Sequence, residues 1–349
     1  MIRLKSIGPW GMALIAFAII PGPAAGIREP GNPKFSVALT IGIETAADRT
    51  QEPYQFSSIG SADFDGQGNI YVFDSKDSCI KVFTKTGDFL RRFLRPGQGP
   101  DEIENGYGFT ILRSNNHIFV LHQHGFQIKE FDGAGRFIRT HPLPEQVLNA
   151  GFALIDEKRL LYVARMKYGE TRFNNLKMLS LETNKLIREF APEDQDYFTG
   201  LQRVAVKDGI VWTCPGDLLR AEAYDPETGR KLKTLPLAED YAPPQVIRWG
   251  ESIQKFRLFN YARPFLIGDA IYFMVVRQSF TKKPEDMLDK PLEREVKVFR
   301  LAGDRLVEEK GFPEFDFLPE FLAAWKNRLL VSSSGYDFYP RLKVIEVHY

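Results

Sequence analysis

His122 and His124 stand two residues apart at the end of the apolar run HIFVLH. In extended backbone that spacing points both imidazoles the same way and offers two ligands to a divalent metal. A third ligand would have to come from Asp74 or Asp217. The remaining histidines, His117, His141 and His348, are scattered, and solvated loop histidines are the preferred reading of the pair. DFDGQGN (63–69) has the look of a calcium loop but lacks the terminal glutamate and the full run of ligands, so it reads as a hairpin turn. Gly97-Gln98-Gly99 has no Lys-Ser/Thr after it and opens no helix, so it reads as a tight connection and not a phosphate cradle. Ser332-Ser333-Ser334-Gly335 lacks a G-x-S-x-G elbow and a matching histidine and acid. Better candidates are basic and aromatic side chains in long polar stretches: Arg165, Arg172, Trp249, Tyr261, Arg277 and Tyr336. Arginine and aromatic residues dominate recognition surfaces for peptides, acidic ligands and sugars, although loop charge also serves solubility.

What must position these residues is a unit spoken six times: an apolar strand, a turn, a second strand ending in an aromatic, a Gly or Asn turn, and a third strand. DGQGNIYVFD with CIKVFTKTGDFLRRF (65–93) is the clearest copy. The anchors Ile70, Ile118, Leu160, Ile210, Ile271 and Leu329 are 48, 42, 50, 61 and 58 residues apart. An all-strand period of that size means propeller blades. The expected fold is all-β, a six-bladed β-propeller of four-stranded antiparallel blades at about 57–94, 106–143, 149–190, 201–237, 260–312 and 319–349. The sixth unit is one strand short. KFSVALTIGIE (34–44) alternates Phe35, Val37, Leu39, Ile41 and Ile43 and is expected to supply that strand and close the ring.

The repeat resembles the NHL-type six-bladed propellers, best over 65–90, with RPGQGPDEI (95–103) similar to the connection between blades in bacterial members. The resemblance implies a binding scaffold, a signalling ectodomain or, in some members, a lyase or hydrolase. The related lyases hold metal with histidines at the channel mouth. A metal-dependent lyase or lactone-type hydrolase using His122, His124, Asp74 or Asp217 is therefore the alternative. If strand order follows these relatives, the blade-joining stretch 236–263 and the long basic loops 165–174 and 277–291 gather on one face. Insertions on one face of a repeat ring mark a binding surface.

Residues 1–26 read as an export signal: Arg3 and Lys5, an apolar core over 11–20 too short to span a bilayer, then Ala24-Ala25-Gly26. Retention as an anchor is the other reading, and no cysteine follows the core to carry a lipid. Cleavage leaves 323 residues with net charge −1, no field for a polyanion and no further membrane-length run. A monomeric periplasmic or extracellular module is expected, without nucleic acid and without a cofactor, taking a protein, peptide or carbohydrate. Cys79 and Cys214 fall in the first and fourth units, opposite one another in a ring, and are expected to be free thiols.

Overall fold

The sequence IYVFD (70–74) is β-branched and aromatic, and every residue of it is buried. A strand buried on both faces needs a neighbour on each side, and the ring supplies them. In this computed structural model the described residues are 33–44, 46–164, 172–194, 204–214, 219–237, 246–249, 252–256, 258–279, 293–312, 319–333 and 339–348. Six four-stranded antiparallel sheets form the blades. Blade 1 is Ile59–Phe64, Ile70–Asp74, Cys79–Phe83 and Phe89–Phe93; blade 2 is Gly108–Leu112, His117–His122, Gln127–Phe131 and Phe137–Pro142. Blade 3 is Val147–Leu154, Arg159–Ala164, Arg172–Ser180 and Leu186–Asp194; blade 4 is Val204–Lys207, Ile210–Thr213, Arg220–Tyr224 and Lys231–Pro236. Blade 5 is Leu258–Ile267, Ala270–Ser279, Glu293–Ala302 and Arg305–Glu308. Blade 6 is Pro319–Trp325, Arg328–Ser333 and Leu342–His348, with Lys34–Ile41 as its outermost strand. The first strand of each blade touches that of the next, and blade 6 touches blade 1, so the ring is closed. The chain is a six-bladed β-propeller.

The core is divided among the blade interfaces. Ile70 and Val72 pack toward blade 6 with Leu330 and Val344, whereas Tyr71 and Phe73 pack toward blade 2 with Ile118 and Val120. Period-two alternation thus feeds two different clusters from one strand. Polar latches repeat across the interfaces: Arg91 of blade 1 donates to the Gly133 carbonyl of blade 2, Arg188 of blade 3 to the Thr228 carbonyl of blade 4 at 3.3 Å, and Arg328 of blade 6 to the Lys85 carbonyl of blade 1 at 2.8 Å. Each acceptor is in the turn between a third and a fourth strand. Gly135 in one such turn has φ of 87°. A Cβ there would lie 2.7 Å from the Phe93 ring, so both conformation and blade spacing require glycine.

The closing strand does more than alternate. A bulge between Val37 and Leu39 shifts its register on the last strand, so the odd residues do not share one face. Phe35 packs against Phe312 in the interface with blade 5, ring centroids 4.7 Å apart. Leu39 and Ile41 enter the interface with blade 1, and Val37 is 47% exposed. A single N-terminal strand therefore seals two interfaces.

The alternation at 81–83 and 129–131 suggests one packed and one partly wet face, and here the structure differs: Lys81 and Lys129 are buried. Lys81 Nζ donates to the Gln55 carbonyl at 2.6 Å and meets Asp74 Oδ2 at 3.2 Å. Lys129 Nζ donates to the Gly99 and Glu102 carbonyls at 2.7 and 2.6 Å. Carbonyls of the incoming blade connection replace water, which is what a buried ammonium requires.

Cys79 and Cys214 are both free and buried. Burial pushes the Cys79 thiol up to about 11 and that of Cys214 well above its usual value. Two outcomes are expected. Iodoacetamide at pH 8 should label neither thiol in the native protein and both in urea without reductant, whereas a disulfide-linked peptide would contradict the blade assignment. Ile41→Ala should lower the stability by about 2–5 kcal/mol in urea unfolding, and an unchanged midpoint would show that the closing strand carries no weight.

Candidate functional site

Connections alternate between the two faces of the ring, and their lengths are unequal. On one face the turns from first to second and from third to fourth strands span two to six residues. On the other, the connections include 165–171, 195–203, 237–257, 280–292 and 309–318. Turn chemistry accounts for the short side: Asp65 Oδ1 accepts from the Gln67 and Asn69 amides, and Asp132 Oδ1 from those of Ala134 and Arg136. The calcium-like stretch is accordingly a hairpin.

Four of the six predicted binding residues are described, and all four are in strands. Arg172 opens the third strand of blade 3, paired with Asp194. Trp249 ends the first strand of an additional hairpin, Val246–Trp249 with Ser252–Phe256, inside the connection from blade 4 to blade 5. Tyr261 and Arg277 are strand residues, not loop residues: Tyr261 is in the first strand of blade 5 opposite Val276, and Arg277 is in the second opposite Asn260 and Glu295. Asn260, Arg263 and Pro264 interrupt the apolar pattern and conceal that ten-residue strand. Tyr261 and Arg277 fall on neighbouring strands of blade 5 but one register position apart, which alternation places on opposite faces of the sheet, and Arg172 is two blades away. Arg165, Asp217 and Tyr336 lie outside the described residues.

The channel is walled by the first strands of all six blades, with a volume of about 350 Å³. Its wall includes the apolar side chains of Phe152, Leu154, Phe265 and Leu322. Its charged side chains, Asp63 and Arg113, come from blades 1 and 2. Asp63 Oδ2 accepts from the Ile111 amide at 3.0 Å and its Oδ1 meets Arg113 Nη2 at 3.0 Å. Arg113 also donates to the Phe64 carbonyl at 3.2 Å and to the Ala324 carbonyl at 2.7 Å. This arginine ties three first strands together at the short-turn end of the channel.

His122 and His124 do not point the same way. The strand ends at His122, which is buried, and His124 follows at φ of 55° in a 3-10 turn, exposed between Asn105 Nδ2 at 3.1 Å and Tyr107 Oη at 3.4 Å. His122 Nδ1 accepts from the Glu104 amide at 3.0 Å, which leaves the proton on Nε2 in the neutral ring. Burial, with Lys129 adding its charge, lowers His122 to about 4. Asp74 accepts from the Ser57 and Ser58 amides, both at 2.9 Å, and from Lys81. Among the described residues no three His, Cys, Asp or Glu side chains form a metal-holding group. The glycine loop holds a carboxylate of the protein itself: the Gly99 amide donates to Glu102 Oε2 at 2.8 Å. Ser332 is buried in a strand of blade 6.

One cluster escapes a sequence reading. Glu130 Oε1 meets His117 Nδ1 at 2.7 Å, and its Oε2 meets Arg139 Nε at 2.7 Å and His141 Nε2 at 3.0 Å. His141 Nδ1 lies 2.8 Å from Asn184 Oδ1 of blade 3. Burial would raise the Glu130 carboxyl, but hydrogen bonds from His141, Arg139 and His117 outweigh it and hold the group at about 2. The residues come from three strands, and their only sequence signal is period two within each.

A family model described as a 6-bladed beta-propeller, DUF5128, matches residues 47–204. Among solved structures, a member of the DUF4221 family from Bacteroides vulgatus aligns with a TM-score of 0.62 and 11% identity over 91% of this chain and 99% of its own. A candidate exported protein from Bacteroides fragilis aligns with a TM-score of 0.60 and 12% identity over 91% of this chain and 96% of its own. No curated protein matches the sequence. At such identity the likeness concerns the fold.

The two shifted groups place the acid response in separate windows. The unfolded chain protonates histidine near 6.5, whereas native His122 stays neutral down to about 4, so stability should fall as pH drops from 6.5 to 4. Glu130, usually near 4.5 and here about 2, contributes stability above 4.5 that is lost as pH falls toward 2. Urea midpoints across pH 7, 5 and 3 should show both steps. His122→Gln should remove the first alone, and an unaltered first step would assign it to other groups.

Proposed function

We propose that the protein is an exported, NHL-like, non-enzymatic binding module that takes a carbohydrate or a partner protein on its loop-rich face. The observation that carries this reading is the inequality of the two faces, short turns on one and long connections on the other. A ring that fixes strand ends rigidly while letting loops vary is a scaffold for recognition. Arg172, Trp249, Tyr261 and Arg277 occupy positions leading into that face, and Arg165 and Tyr336 belong to its connections by sequence. His122 and Asp74, which end second strands and are the groups suited to acid–base or metal work, are engaged in hydrogen bonds within the fold, which favours binding over catalysis. Export is supported by the basic start and short apolar core of residues 1–20 and by the exported character suggested for the Bacteroides fragilis protein.

A glycan array carrying neutral and acidic saccharides tests the face. Arg165→Ala combined with Arg172→Ala should weaken the saccharides bound by about 1.5–3 kcal/mol per charged hydrogen bond lost with the melting temperature unchanged. Arg136→Ala, in a short turn of the opposite face, should leave them bound. Loss caused by Arg136→Ala and not by the pair would place recognition on the wrong face of the account.

A further inference from the structure

Phe126 is the most exposed large apolar side chain among the described residues, at 48%. It stands on the loop-rich face, in the four-residue connection 123–126 between the second and third strands of blade 2. The chain around it is nonetheless fixed. The Phe126 carbonyl accepts from the Leu143 amide at 2.9 Å, and the Gln146 side-chain amide donates to the His124 carbonyl at 2.7 Å. Gly125, at φ of 85°, lies so close to blade 3 that a Cβ would fall 2.0 Å from the Val147 carbonyl oxygen. The ring itself belongs to neither core cluster that blade 2 feeds. An aromatic ring held in place yet half in water is a platform for the apolar face of a ligand.

An ordered set of polar side chains adjoins it. His124 is two residues before Phe126, which keeps their Cα atoms within about 8 Å. Asn105 Nδ2 lies 3.1 Å from His124 Nε2, and Tyr107 Oη lies 3.4 Å from His124 Nδ1. An amide nitrogen only donates, so Nε2 accepts, and in the neutral ring the proton is on Nδ1, aimed at the phenol oxygen. That order leaves the Tyr107 hydroxyl proton to donate to a ligand and Asn105 Oδ1 to accept from one. Tyr107 is anchored by its ring on the core between blades 2 and 3. Asn105 and His124 both have left-handed backbone, with φ of 49° and 55°, a conformation uncommon outside glycine and concentrated at binding sites. One residue before Asn105, the Glu104 carboxylate accepts from Gln98 Nε2 at 2.8 Å and sets a negative charge at the margin.

We propose that this corner of blade 2 is a subsite for a neutral pyranose unit, whose apolar face lies on the Phe126 ring while adjacent hydroxyls pair with the Asn105 amide and the Tyr107 hydroxyl. The inference rests on the loop-rich face being the binding face, and it names the ligand class and the side chains that recognise it. A sugar ring presents an apolar C–H face together with hydroxyls that both donate and accept, and the corner offers a counterpart to each. An acidic sugar meets the like charge of Glu104 instead.

The test is a glycan array of neutral and acidic saccharides probed with the purified full chain, followed by calorimetry on the strongest neutral saccharide. Neutral saccharides are expected to be retained. Phe126→Ala should weaken them about tenfold or more, the loss expected for one apolar ring contact, and Phe126→Tyr, which keeps the ring, should restore most of the affinity. Asn105→Gly, which permits the left-handed backbone and removes the amide, should weaken them about threefold. Because a variant could misfold, saturation-transfer NMR on the unaltered chain is the companion measurement, and irradiated aromatic resonances should transfer most strongly to the C–H protons of one pyranose face. Loss with Phe126→Ala and Asn105→Gly but not with Arg165→Ala plus Arg172→Ala would keep the subsite and remove those arginines from recognition. Loss with the arginine pair alone would keep the loop-rich face and overturn the subsite. An array retaining only acidic saccharides or none, Phe126→Tyr as weak as Phe126→Ala, or uniform saturation transfer would each overturn it as well.

Discussion

The pairing of Lys34–Ile41 with Leu342–His348 is the interaction on which the rest of the structure depends. A row of blades has an uncovered face at each end, and only closure turns both into core. The six interface clusters show how the apolar surface is shared, with almost every central strand contributing to two of them. Because the closing strand changes face at its bulge, it supports the interface on either side of blade 6 at once. Any strain that opens it exposes two clusters.

Closure has a second consequence, for the polar groups. Propeller connections must cross from one blade's outer edge to the next blade's centre, carrying backbone carbonyls into buried places. Lys81 and Lys129 satisfy those carbonyls from below, Arg113 ties three first strands at the short-turn end, and the turn latches hold the outer strands in register. These charged side chains are architecture. They account for part of the 91 charged residues of a near-neutral chain.

Much of this was legible in the sequence because the repeat is long and its anchors keep their order. Ile70, Ile118, Leu160, Ile210, Ile271 and Leu329 all fall in second strands, and the missing outer strand of the last unit pointed to the N-terminus. Periodicity could not show the bulge at Val37, since a one-residue insertion leaves the alternation intact while reversing its faces. Nor could it show that Lys81 and Lys129 are buried, because their partners are carbonyls, which no sequence displays. Tyr261 and Arg277 passed for loop residues since polar side chains break the apolar pattern of two long strands. His122 and His124 passed for a pair because the turn between them depends on a left-handed backbone at His124.

Amide hydrogen exchange resolved across the closing strand tests the central claim most directly. The account predicts that the amides of 35–41 paired with the last strand exchange as slowly as those of 342–348 and of 70–74, since all open only when the ring opens. Rapid exchange over 35–41 while 342–348 remains protected would mean that the ring holds without its N-terminal strand, and would contradict the account.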